Sequence, residues 1–199
     1  TKNPLVQWDV RGLCPNGGDA RRSENHPNQR PDGEGEAAPR QHVAEPGAIA
    51  GGPPPKYELT CAMLERYHGE DLGQSEAFGD SVVRYLTPDE RSSRLVTVED
   101  GLLMQGGAPF DTGDGGGIYV MDTHGNIYAS TEQSPGEFHH SSLLAGADVA
   151  AAGELEVCSG QVTHIDGESG HYRPGDEHTD QAVHELRSRG ATIDDRHVG

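Results

Sequence analysis

The stretch Gly117-Ile118-Tyr119-Val120-Met121-Asp122-Thr123-His124-Gly125-Asn126-Ile127-Tyr128-Ala129-Ser130 decides the fold. Two runs rich in β-branched and aromatic residues flank Thr123-His124-Gly125, a connection so short that the second run must return antiparallel to the first. The pattern recurs on either side. Arg94-Leu95-Val96-Thr97-Val98 turns at Glu99-Asp100-Gly101 into Leu102-Leu103-Met104, and Glu154-Leu155-Glu156-Val157 turns at Cys158-Ser159-Gly160 into Gln161-Val162-Thr163-His164-Ile165. Three hairpins predict an antiparallel sheet.

Helical signals lie outside the hairpins. Leu59, Met63, Leu64 and Tyr67 follow helical spacing up to Gly69, and Phe78, Val82, Val83 and Leu86 suggest a further turn or two. Thr87-Pro88-Asp89-Glu90 is a helix start: Thr87 caps, Pro88 suits the first position, and Glu90 completes a capping box. Near the C-terminus Pro174 precedes a helix whose apolar stripe is Ala182, Val183 and Leu186. Arg187 and Arg189 favour its C-terminal end and Gly190 stops it. The predicted class is α+β, an antiparallel hairpin-rich sheet with flanking helices.

Composition divides the 199 residues at one boundary. Residues 1–56 hold eight Gly and nine Pro but only six of the 34 Leu, Ile, Val and Phe, too little apolar surface to offset chain entropy. They read as a tail or linker, with one possible strand in Pro4-Leu5-Val6-Gln7-Trp8-Asp9-Val10. Residues 57–199 read as the globular domain. They carry eight Arg, no Lys and 26 acids, so the whole net charge of −18 sits there. Such a surface repels a phosphate backbone and an anionic membrane, which excludes nucleic acid and membrane as partners and leaves a protein with a basic face. Much of the acid serves hydration and solubility. No apolar run is long enough to span a bilayer, and no charged n-region with an apolar h-region opens the sequence, so no signal peptide is expected. Cys14, Cys61 and Cys158 form an odd, widely spaced set, which predicts free thiols or at most one bridge.

Several polar clusters could carry chemistry. Gly136-Glu137-Phe138-His139-His140-Ser141-Ser142 is the densest; if extended, it aims only one of its histidines at a site. Ser169-Gly170-His171-Tyr172-Arg173-Pro174 offers an imidazole and a ring face before the last helix. Tyr67-His68-Gly69 ends an element. Glu154-Leu155-Glu156 presents two carboxylates on one strand face, about 7 Å apart by strand rise. Each has a structural reading beside the functional one: satisfied backbone groups, a helix latch, a solvated strand. Eleven histidines show no metal-ligand spacing, so no metal is expected, and neither a phosphate loop nor a nucleophile elbow occurs.

Taken in order, Val83-Arg84-Tyr85-Leu86-Thr87-Pro88-Asp89-Glu90-Arg91, Val98-Glu99-Asp100-Gly101, Phe110-Asp111-Thr112, Ile118 to Asp122 with Gly125-Asn126-Ile127-Tyr128, Phe138 to Gly146, Ala151-Ala152-Gly153 and Ser169 to Pro174 resemble a module at the C-terminus of bacterial polymorphic toxins and effectors. The same blocks, over about residues 82–198, are similar to the globular part of plant IQ-motif calmodulin-binding proteins. Nothing in this chain is a basic amphipathic helix, so calmodulin is not implied as its partner.

The toxin-like resemblance implies a secreted or delivered, monomeric effector with an ADP-ribosyltransferase-like fold. It would transfer ADP-ribose from NAD to a protein acceptor with a basic face, ubiquitin-like proteins being the model acceptor. Under that reading His140 or His68 holds the adenine-side ribose, Ser141 and Ser142 line the nicotinamide-ribose pocket, and Tyr172, with His171 beside it, stacks on nicotinamide. Glu154 or Glu156 stabilises the cationic centre formed as nicotinamide leaves. The alternatives are a non-catalytic protein-binding module and an NAD glycohydrolase. The enzyme readings require the double-histidine segment and the glycine-histidine-tyrosine corner to project into one open cleft.

Overall fold

A computed structural model describes residues 53–199. The strand expected within residues 4–10 lies outside them, as does Cys14. Cys61 is a free thiol, whereas Cys158 is disulfide-bonded.

Seven strands form one antiparallel sheet: β1 (Leu95–Glu99), β2 (Leu102–Gln105), β3 (Ala108–Pro109), β4 (Gly117–Met121), β5 (Ile127–Ser130), β6 (Ala151–Cys158) and β7 (Gln161–Ile165), in the order β3-β2-β1-β5-β4-β6-β7. All three expected hairpins are present; the short β3 was not expected. The sheet curls until its two ends meet. Leu103 N–H donates to the Gly160 carbonyl, and Gly160 N–H donates to the Phe110 carbonyl. Gly160 sits at φ +86°, and a Cβ there would lie 2.8 Å from Leu102 Cβ, so only glycine fits where the sheet closes.

The central strand explains the two-sided core. Every residue of β4 is buried. Tyr119 and Met121 face one way, joining Val96, Leu103, Ile127, Leu155 and Ile165 inside the curl, where α3 (Asp176–Ser188) adds Ala182, Val183 and Leu186. Ile118 and Val120 face the other way, packing with Phe138, Leu143, Leu144 and Tyr172 beneath α2 (His140–Leu144). Strand alternation thus feeds two cores from one apolar run.

Helix α1 (Pro88–Ser92) begins as the sequence predicts. Thr87 Oγ1 accepts from Glu90 N–H, and Glu90 Oε2 accepts from Thr87 N–H in return. Thr87→Ala removes one half of that box, and about 1 kcal/mol is the expected cost, read as faster amide exchange at Glu90 and Arg91 with the sheet unaffected. Helix α3 also matches its expected stripe. Its buried Glu185 ties the start of the domain down, accepting from Lys56, Tyr57 and Arg189.

Two helical expectations fail. Residues 57–69 are not an α-helix; one 3-10 turn at Glu65–Tyr67 is all that forms, because Cys61 bridges Val149 and Leu64 N–H donates to the His171 carbonyl. Residues 78–86 form no helix either: 78–80 belong to a turn and 81–86 have no regular structure, with Arg84 N–H bonded to the Glu137 carbonyl and Leu86 N–H to the Ser142 carbonyl. In both segments bonds to distant carbonyls replace the local ladder that the apolar spacing suggested. The antiparallel α+β class holds; nothing in the architecture supports the ADP-ribosyltransferase-like variant.

Candidate functional site

The two polar signature blocks do converge. Helix α2 starts inside the first, and the 169–174 loop lays the second against it, so the His139 and His171 ring centroids are 4.6 Å apart. Residues 65–86 close over both. Tyr67 stacks on His171 at 3.9 Å, and Phe78 stacks on His139 at 5.0 Å with ring planes 8° apart.

What they form is a packed knot. His140, Ser141, Ser142, His171 and Tyr172 are all buried, Ser141 and Ser142 completely. His140 Nε2–H donates to the Gly153 carbonyl, whose oxygen can only accept, so the tautomer is fixed. Ser142 Oγ accepts from His139 N–H, and Tyr172 Oη donates to the Ala147 carbonyl. A Tyr172 ring held this way offers no face to nicotinamide, and neither serine lines a pocket. His68 is exposed, while its neighbours Tyr67 and Glu70 turn inward. Glu154 and Glu156 do share a strand face, as expected. Both are exposed, continuing the Ile118 side of the sheet towards β7. The proposed ribose, nicotinamide and carboxylate roles therefore have no common cleft.

At the bottom of the knot lies a residue that sequence reasoning missed. Glu70 is fully buried; its Oε2 is 3.0 Å from His171 Nε2 and its Oε1 accepts from Tyr85 Oη. Ser141 Oγ faces the same carboxylate without a well-formed hydrogen bond of its own. Burial pushes the Glu70 carboxyl up, but the bond from His171, with Ser141 and Tyr85 beside it, outweighs this and holds it below the usual carboxylate range. The signal was present in the Tyr67 to Glu70 spacing, which puts both on the inner side of a tight turn.

Burial lowers His139 and His140 to about 4 each, which favours their neutral forms. An unfolded histidine titrates near ~6.5. Between those limits the unfolded chain binds more protons, so stability falls as pH drops from about 6.5 towards 4. His140 alone contributes a slope of about 1.4 kcal/mol per pH unit within that window. Urea melts at stepped pH should show this loss, and His140→Gln should flatten it; an unchanged slope in that variant would assign the acid lability elsewhere.

Only the outer layer of the knot reaches solvent. Arg66, Tyr67, Glu76, Ala77 and Phe78 line a cleft of about 360 Å³, with the Arg66 guanidinium 4.8 Å from the centroid of the Tyr67 ring. As for cations, one group among the described residues has the spacing to share an ion: Glu154, Asp166 and Glu168. Asp166 Oδ1 already accepts from Glu154 N–H and Glu168 N–H, which makes it a turn-former.

The strands and the double-histidine helix fall in the part of the chain that known proteins share. Residues 90–179 match the family model described as IQ motif-containing protein middle domain. Among individual relatives, the chain is 35% identical over 122 residues to IQ domain-containing protein IQM3 of Arabidopsis thaliana, covering 58% of this chain and 26% of that protein. It is 37% identical over 114 residues to IQ domain-containing protein IQM5 of the same plant, covering 56% and 23%. The chain thus spans about a quarter of the length of these relatives. No solved structure matches.

These matches support the likeness to plant IQ-motif proteins and give none to polymorphic toxins. They overturn the reading of the chain as a toxin or secreted effector that transfers ADP-ribose from NAD. The buried signature blocks accord with this: His140, Ser141, Ser142, His171 and Tyr172 are packed inside the domain, while His68, Glu154 and Glu156 are exposed.

Proposed function

We propose that this chain is a non-catalytic protein-recognition module whose partner presents a basic face. The observation that carries the reading is the internal use of both signature blocks, whose His140, Ser141, Ser142, His171 and Tyr172 are buried, so that a partner meets the acidic outer surface. Charge gives the partner its sign: 26 acids against eight arginines over residues 57–199 favour encounter with a cationic surface. The similarity to IQ domain-containing proteins accords with a role in assembly with another protein.

The test is surface plasmon resonance with the whole chain immobilised, against purified small proteins grouped by the sign of their surface. Saturable one-to-one binding confined to basic-faced proteins, with an on-rate that falls as salt rises, is the expected result. Binding that ignores charge and salt, or none to any basic-faced protein, overturns the reading.

A further inference from the structure

We infer that residues 65–83 form a strap that opens as one unit, ahead of the sheet, when His139 takes up a proton. The strap is a pH-sensitive device, and it operates whatever the domain binds.

Its backbone is self-contained. Among the described residues, the backbone hydrogen bonds that amides of residues 67–83 donate all end on carbonyls of residues 64–78; Ala77 to Arg66, Gln74 to Gly69 and Val83 to Glu70 tie the two limbs together. Bonds to the rest of the domain begin just beyond its ends, where Leu64 N–H donates to the His171 carbonyl and Arg84 N–H to the Glu137 carbonyl. Lifting the strap therefore breaks no strand pairing.

Side chains resting on imidazoles hold it down. Tyr67 stacks on His171, buried Glu70 has its Oε2 3.0 Å from His171 Nε2, and Phe78 stacks on His139. Residues 79–82 and most of 71–77 face solvent.

His139 is the catch. Gly136 N–H donates to His139 Nε2 at 2.8 Å, a bond that requires the lone pair of the neutral ring. Gly136 also backs directly on the strap: a Cβ there would come 3.4 Å from Ser81 Cβ and 4.0 Å from Phe78 Cδ1. A proton on Nε2 sets one N–H against the other. The ring or the Gly136 turn must then move, and Phe78, whose plane lies 8° from that of His139, loses its seat.

The titratable groups facing His139 are Glu70 of the strap and His171 of the 169–174 loop, with His140 next to it in α2. Burial outweighs the pull of the Glu70 carboxylate and lowers His139 to about 4. In the lifted state the ring is solvated and titrates near ~6.5. The open form thus holds the extra proton between those limits, and opening gains about tenfold for each unit that the pH falls through them. Glu70 is held below the usual carboxylate range, so its contact with His171 persists through that window. His140 donates to the Gly153 carbonyl of β6, so its protonation acts on the sheet rather than on the strap.

Hydrogen-exchange mass spectrometry of the whole chain at stepped pH, corrected for intrinsic exchange, tests this. Peptides within 65–83 should be less protected than peptides within 117–130, and their protection should fall about tenfold per pH unit from 6.5 towards 4. His139→Gln keeps an acceptor for Gly136 but takes no proton, so strap protection should lose its pH dependence. Phe78→Leu should lower strap protection by a constant factor with the slope kept, and His140→Gln should leave the slope in place. A strap as protected as the sheet at every pH overturns the inference, as does a slope that survives in His139→Gln. Loss of the slope in His140→Gln overturns it too, and that readout stands even if the chain altered at His139 does not fold.

Discussion

Gly153→Ala is expected to cost about 4 kcal/mol, at the upper end for a single substitution, and to leave little folded protein above ambient temperature. The residue lies in β6 opposite the 166–167 bend. A Cβ built there would lie 1.9 Å from the Asp166 carbonyl oxygen, 2.7 Å from its carbon and 3.0 Å from Gly167 Cα. All three atoms are backbone, so no rotamer change relieves the clash; β6 and β7 must separate where their register already shifts, between Glu156 and Val157, or the bend must move. The Gly153 carbonyl also accepts from His140, so displacement of β6 pulls directly on α2. Chemical denaturation with circular dichroism measures the loss. A variant that melts within 1 kcal/mol of the original would show that the bend yields, contrary to the close packing described.

Glu70→Ala is the second large effect, with an expected loss of about 3–5 kcal/mol at neutral pH. Removing the carboxylate leaves His171 and Tyr85 without their buried acceptor and opens a void between them. Two companion variants separate the causes. Glu70→Gln keeps the volume and part of the hydrogen bonding, so it should recover some of the loss. Glu70→Leu paired with His171→Phe replaces the polar pair by an apolar one of similar size and should be more stable than Glu70→Ala alone. If Glu70→Ala melts like the original chain, the carboxylate is not the keystone of the knot.

The sheet was legible because it is local. Each hairpin closes through a turn of a few residues; the alternation of Leu155, Glu156 and Val157 records which side of β6 faces apolar neighbours, and the unbroken apolar run Ile118 to Met121 marks a strand buried on both faces. The capping box at Thr87 and the Ala182, Val183 and Leu186 stripe were legible for the same reason. Residues 57–86 were misread because their apolar spacing reflects contacts with distant partners: Met63 and Tyr67 pack on α2 and the 169–174 loop, and the backbone pairs with Val149, His171, Glu137 and Ser142. Helix α2 went unseen because five residues, two of them serines, carry too little periodic signal.

The candidate site shows the same division. Sequence alone established a globular acidic domain built on three antiparallel hairpins, and it singled out two histidine-bearing blocks as special. Only the tertiary structure decided what those blocks do, because an imidazole or a hydroxyl is written identically whether it faces a ligand or a carbonyl. Long-range closure of residues 65–86 over α2 stacked Tyr67 on His171 and Phe78 on His139, and paired His171 with Glu70 from 101 positions away.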